Sequence, residues 1–128
     1  MTVTTQVLRA LRPEERERLV VHYQGMLALA VQLARWRDRR DAVMGLVLLL
    51  TGLRVHEACA LRRGDIRVEG GERRLIVRRG KGGKRRETRI PESLRPILRD
   101  YLATFGDGDD EHPAFPGIPP SFTPWATQ

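Results

Sequence analysis

The run Leu46-Val-Leu-Leu-Leu-Thr-Gly-Leu-Arg54-Val-His-Glu57 limits this chain more than any other stretch. An apolar segment ends in a Thr-Gly turn, and a cation follows two residues later. An unpaired charge at the edge of a core is heavily penalised. Arg54 therefore requires an anion, either a protein carboxylate or a bound phosphate or carboxylate. Upstream, Ala42 to Leu50 is apolar almost all round, so a helix there must be central and covered on several sides. It is far too short to span a membrane. Charges and a proline arrive between Arg9 and Glu17, which argues against a signal peptide. The expectation is a soluble, cytoplasmic protein.

The remaining segments arrange themselves around that helix. Residues 1–10 are polar at their start and expected to fray. Pro13-Glu14-Glu15 is a helix start, with carboxylates against the positive helix end. Leu19, Val20, Tyr23, Leu27, Ala30, Val31 and Ala34 then predict a helix to about Arg35. Gly25 weakens that helix and is able to split it. Trp36 to Arg40 reads as a junction in which Asp38 caps the central helix. A shorter helix, Leu53 to Arg62, is expected to end at Gly64. The pattern then changes to strands: Asp65–Val68, Arg74–Arg78 and Arg85–Ile90, with Gly-rich turns between them. Pro91 opens a last helix, which Gly106 stops. The fold class is therefore α+β, about four helices with a three-stranded antiparallel meander. Residues 11–106 form the body, and 107–128 an acidic and then proline-rich irregular tail.

Twenty-seven residues beyond Arg54 lies Lys81, within Arg78-Arg-Gly-Lys-Gly-Gly-Lys-Arg-Arg86, a hairpin tip with six cations and no acid. Such a cluster repels itself unless a polyanion neutralises it. The chain carries a formal net charge of +7, and only two of its 23 Lys and Arg residues are lysines. Both lysines, Lys81 and Lys84, stand in this tip. Arginine is locked in its charged form, whereas an ammonium is able to release a proton, so lysine here fits a proton donor. Arg54 and the tip read as two halves of one anion site.

Other chemistries fail on spacing. A Walker loop needs Gly-Lys-Ser/Thr and a helix, but Lys84 is followed by Arg85 and a strand. A dinucleotide fingerprint fails because its third glycine falls at Arg85. His22, His56 and His112 are scattered, and the single Cys59 lies on an apolar helix face, so no metal, no disulfide framework and no cofactor are expected.

Leu50-Thr-Gly-Leu-Arg54-Val-His-Glu57, Ala60-Leu61, Asp65-Ile66, Arg79-Gly-Lys81-Gly-Gly-Lys-Arg and Ile90-Pro91 together resemble the catalytic domain of the tyrosine recombinases, or phage integrases. The likeness runs in order from about Leu11 to Pro116. It implies metal-free DNA cleavage, in which a tyrosine attacks the phosphodiester and forms a 3′-phosphotyrosyl link. Cations stabilise the charge that develops on the phosphate, and an acid protonates the departing 5′ oxygen. On the resemblance Arg54 is the first arginine on the scissile phosphate, Lys81 the hairpin general acid, and Glu57 the carboxylate that supports the Arg54 turn. Arg62, Arg63, Arg78, Arg79, Lys84, Arg85 and Arg86 then contact the DNA backbone without reading sequence.

The departures from the family pattern carry equal weight. These 128 residues hold no His-x-x-Arg, and both tyrosines, Tyr23 and Tyr101, sit at apolar helical spacings. The sequence thus reads as the first half of a catalytic domain, incomplete as written. Its expected partners are double-stranded DNA and either a second copy or a complementing recombinase chain. The alternatives are a non-enzymatic DNA-binding remnant that modulates a full-length recombinase, and a basic RNA-binding module. Half a domain is also expected to leave an apolar patch on the Ala42–Leu50 helix, which the missing helices would otherwise cover.

Overall fold

The computed structural model describes residues 11–78, 84–106 and 110–118. In chain order they form α1 (Pro13–Gln32), α2 (Trp36–Thr51), α3 (Val55–Cys59), a 3₁₀ turn (Arg63–Asp65), β1 (Ile66–Arg67), β2 (Arg74–Val77), β3 (Arg86–Arg89) and α4 (Arg95–Ala103). The α+β class expected from the sequence is the class observed. The sheet is an antiparallel meander in the order β1-β2-β3, with Leu75 opposite Ile66 on one side and Thr88 on the other.

α2 is the axis of the molecule. Every residue from Ala42 to Leu49 is buried. α1 covers one side of it with Tyr23, Ala30 and the partly buried Leu19, Met26 and Leu27. The inner sheet face (Ile66, Leu75, Val77) and α4 (Leu98, Tyr101) complete the same core. The two long helices meet closely: a Cβ on Gly45 would stand 3.0 Å from three atoms of the Tyr23 ring. Gly45→Val should therefore cost about 1–3 kcal/mol through overpacking, read as a lower midpoint in urea denaturation. An unchanged midpoint would mean that the α1–α2 contact is loose.

Local chemistry sets the helix ends, with some departures from the sequence expectation. α1 does not split at Gly25. It ends three residues before Arg35, because Ala34 turns left-handed (φ 54°) while Arg35 N–H reaches back to Ala30 O (2.9 Å) and Ala34 N–H to Val31 O (3.3 Å). That is the bond pair of a Schellman stop. The junction expected at Trp36–Arg40 is helix instead, and Asp38 lies in its first turn without capping it. The Trp36 ring, packed against Tyr101 and Phe105, holds those residues in the helix. α2 closes at Gly52 (φ 74°), whose N–H donates to Leu48 O.

Gly64 does not stop α3, which ends earlier; it lies in the 3₁₀ turn. Its N–H donates to Asp110 O (3.0 Å), and a Cβ there would meet Asp110 Cβ at 2.8 Å. The last helix begins at Arg95 after a turn over 91–94, not at Pro91.

Two expectations change more substantially. Residues 110–118 are irregular, as the prolines imply, but they are a strap and not a tail. Ala114, Phe115 and Ile118 are buried, Ala114 N–H donates to Leu61 O (2.9 Å), and Pro116 O accepts from Arg40 (2.9 Å). The exposed large apolar side chains also lie elsewhere than on the Ala42–Leu50 stretch. The Ala42–Leu49 stretch of α2 is buried, whereas Val21 (61 % exposed), Leu29 (54 %), Val31 and Leu33 are exposed on and just after α1. α4 and the strap share the core with α2, through Leu98, Tyr101, Ala114 and Phe115. Among the described residues no helix is long and apolar enough to cross a membrane.

Candidate functional site

Arg54 is placed by the turn that precedes it. Gly52 takes the left-handed conformation, Leu53 is buried, and Arg54 is extended (φ −76°, ψ 153°) at the head of α3. Its backbone N–H donates to Glu57 Oε1 at 2.9 Å. This is a capping interaction across three residues, and it fixes the direction in which Arg54 leaves the core. Arg54 as a residue is partly buried, and its guanidinium has no hydrogen bond or ion pair among the described residues.

Glu57 has a second partner. Its side chain is 2 % exposed and receives Arg86 in a two-pronged bond, Arg86 Nη2 to Oε1 at 3.1 Å and Arg86 Nη1 to Oε2. Burial pushes the Glu57 carboxyl upward. The Arg86 bond and charge and the Arg54 N–H together outweigh that, and its pKa lies below the ordinary 4.5.

The other cations assigned to DNA in the sequence are mostly engaged within the chain. Arg78 Nε donates to Asp65 Oδ1 (2.9 Å), Arg62 pairs with Glu111, and Arg85 pairs with Glu87 (3.3 Å). Arg63 lies 3.8 Å over the Phe105 ring. Lys84 is exposed, with no partner among the described residues. Arg79 and Lys81 lie outside the described residues; within those, the structure brings together Arg54, Glu57 and Arg86 at the base of the hairpin. Among the described residues no group of three or more His, Cys, Asp or Glu could hold a metal.

Neither tyrosine is available as a nucleophile in this arrangement. Tyr23 and Tyr101 are both buried, and that burial pushes both phenols far above their ordinary pKa. Tyr101 Oη donates to Ala114 O at 2.7 Å. The Cys59 thiol is raised by burial as well, which leaves it protonated and inert.

Residues 10–114 match the model of the phage integrase family. The chain belongs to that family. Over 63 residues, 49 % of this chain and 21 % of the relative, it is 48 % identical to tyrosine recombinase XerA of Pyrococcus furiosus. It is 36 % identical over 76 residues to tyrosine recombinase XerC of Rhodospirillum centenum, covering 59 % of the chain and 21 % of that protein. With the TnP I resolvase of Bacillus thuringiensis it shares 32 % identity over 65 residues, 51 % of the chain and 22 % of the resolvase. The chain thus spans about a fifth to a quarter of the length of these relatives. No solved structure matches it.

For this phage integrase chain the sequence placed Asp65 in the family pattern but gave it no role in the site. Its side chain is 1 % exposed; Oδ2 accepts the Arg62 N–H (3.0 Å) and Oδ1 accepts Arg78. The signal was present. Arg62-Arg-Gly-Asp65 repeats the Arg-x-x-acid spacing of Arg54-Val-His-Glu57.

Proposed function

We propose that this chain binds duplex DNA as the first half of a tyrosine recombinase catalytic domain that serves DNA integration or recombination. The observation that carries this reading is Arg54. It is a partly buried arginine whose backbone is fixed by a buried carboxylate, and its guanidinium has no anion of its own among the described residues. A phosphate oxygen would supply the missing partner. In this reading Arg54 holds the scissile phosphate, Glu57 orients the Arg54 turn, and Lys81 protonates the departing 5′ oxygen. Arg79 and Lys84 contact the backbone directly. Arg62, Arg63, Arg78, Arg85 and Arg86 reach DNA only by leaving or sharing the partners described above. The working unit is residues 11–118, since the strap belongs to the core, and double-stranded DNA is the partner.

A second reading keeps the DNA and drops the chemistry. With both tyrosines in the core and no His-x-x-Arg among the 128 residues, these residues alone would hold a site without cutting it. The nucleophile would come from residues beyond them or from a complementing chain. In the second reading the chain occupies the site and modulates a complete recombinase.

Duplex binding followed against salt tests the shared claim. Affinity should fall at least about tenfold between 50 and 200 mM salt through counterion release. Arg54→Ala should weaken it further, and these residues alone should give no covalent protein–DNA adduct. Binding that single-stranded RNA outcompetes at equal nucleotide concentration would replace both readings with an RNA-binding module.

A further inference from the structure

The sheet of this molecule is poorly anchored by apolar contacts on one side. β3 offers only Thr88, half-buried, among Arg86, Glu87 and Arg89, all exposed. Its first apolar anchor is Ile90, beyond the strand end. Yet β3 and β2 are the two arms of the hairpin whose tip carries the Gly-Lys-Gly-Gly-Lys sequence. β2 is anchored by the buried Leu75, Ile76 and Val77, so something other than hydrophobic burial must fix where the β3 arm and the hairpin mouth stand.

Two ion pairs sit at the mouth of that hairpin, one on each arm. Arg86 opens β3 opposite Val77, and Arg78 follows Val77 at the end of β2. Arg86 grips Glu57 with two nitrogens, and Arg78 donates to Asp65. Both carboxylates are almost wholly buried, and each also caps a backbone N–H three residues upstream, Glu57 that of Arg54 and Asp65 that of Arg62. Each carboxylate therefore joins the start of a short helical turn to one hairpin arm. A buried carboxylate that loses its cation is strongly penalised, so neither arm is able to swing away cheaply. The two-pronged Arg86 bond also fixes an angle, which a single ammonium contact would not.

We propose that Arg78 and Arg86 are positioning residues and not phosphate contacts. Through Asp65 and Glu57 they clamp both arms of the β2–β3 hairpin to the turns bearing Arg62 and Arg54, and so fix the mouth of the hairpin relative to Arg54. The functional meaning of this clamp rests on the DNA reading above. The clamp itself does not.

The test combines two readouts on the full chain. In amide hydrogen exchange, Glu57→Gln and Arg86→Lys should each speed exchange across 84–89 by about tenfold or more, while the α2 core amides keep their rates. The double variant should be no worse than the worse single, because the two share one contact. Arg78→Lys should loosen the same hairpin from the other arm, and it stands in if Glu57→Gln fails to fold. In duplex binding, Arg86→Lys and Glu57→Gln should both weaken affinity several-fold with the salt slope kept. Lys84→Ala should instead lower that slope by about one and leave exchange unchanged. Unchanged hairpin exchange in Arg86→Lys and Arg78→Lys would overturn the clamp. So would Arg86→Ala lowering the salt slope by about one while Glu57→Gln binds as tightly as the parent. If the parent itself binds no duplex, the DNA reading fails and the exchange rates still decide the clamp.

Discussion

Tyr101→Ala should cost the fold about 3–5 kcal/mol, the range for removing a large aromatic from a packed core. Tyr101 is fully buried, and three aromatic rings surround it: Trp36 at 6.4 Å and Phe115 at 5.4 Å in stacked arrangement, and Phe105 at 5.4 Å edge-on. These rings come from the start of α2, the turn that follows α4, and the strap. One truncation therefore loosens three segments at once. The phenol adds a further link, since its bond to Ala114 O holds the strap in place. Tyr101→Phe should keep the ring contacts and lose about 1–3 kcal/mol through the unpaired carbonyl. A domain of this size has a total stability on the order of 5–15 kcal/mol, so the alanine variant should be largely unfolded at 37 °C. Urea denaturation of the parent and both variants checks this. An alanine variant within about 1 kcal/mol of the parent would contradict the core role, and it would make Tyr101 available for chemistry again.

The parts of this structure that were legible in the sequence are those that local physics decides. Nine consecutive residues without a charge, Ala42 to Leu50, have nowhere to go but the centre. Period-two alternation broken by Gly70-Gly71, both at positive φ, specifies a turn between antiparallel strands. Arg54 and Glu57 stand at capping distance in sequence, and the structure joins them. What sequence did not show depends on partners far along the chain. Prolines after His112 announce irregular backbone but not that Ala114 and Phe115 fill the core beside Tyr101. Asp38 looks like a cap only while Trp36 is taken for linker, and its ring contacts with α4 make it helix. Charge is the clearest case. Counting cations gave a hairpin aimed at DNA, but not that Asp65 and Glu57 already hold two of those arginines from beneath.

Glu57→Gln should lower stability at pH 7 by about 1–3 kcal/mol, and the gap should close as the pH falls. Breaking a buried pair costs about 3–5 kcal/mol when both members are fully enclosed. Arg86 is 41 % exposed, so water partly re-solvates it and the smaller figure applies. The sign follows from the native environment of the carboxylate. Its folded pKa lies below the unfolded value because the Arg86 bond and charge and the Arg54 N–H together outweigh burial, the largest single influence, which raises it. A depressed carboxylate binds fewer protons folded than unfolded, so its stabilisation is complete above the unfolded value near 4.5. It is lost progressively as the pH drops from there through the folded value. The chain carries 16 Asp and Glu residues, and several will contribute to acid unfolding. The difference between parent and Glu57→Gln isolates one of them. Urea midpoints for both proteins at pH 7, 5, 4 and 3 should therefore run parallel down to about pH 5 and then converge. A gap that stays constant to pH 3 would show that Glu57 acts by shape and hydrogen bonding alone, and that the charge on the Arg54 turn is not what holds the hairpin arm.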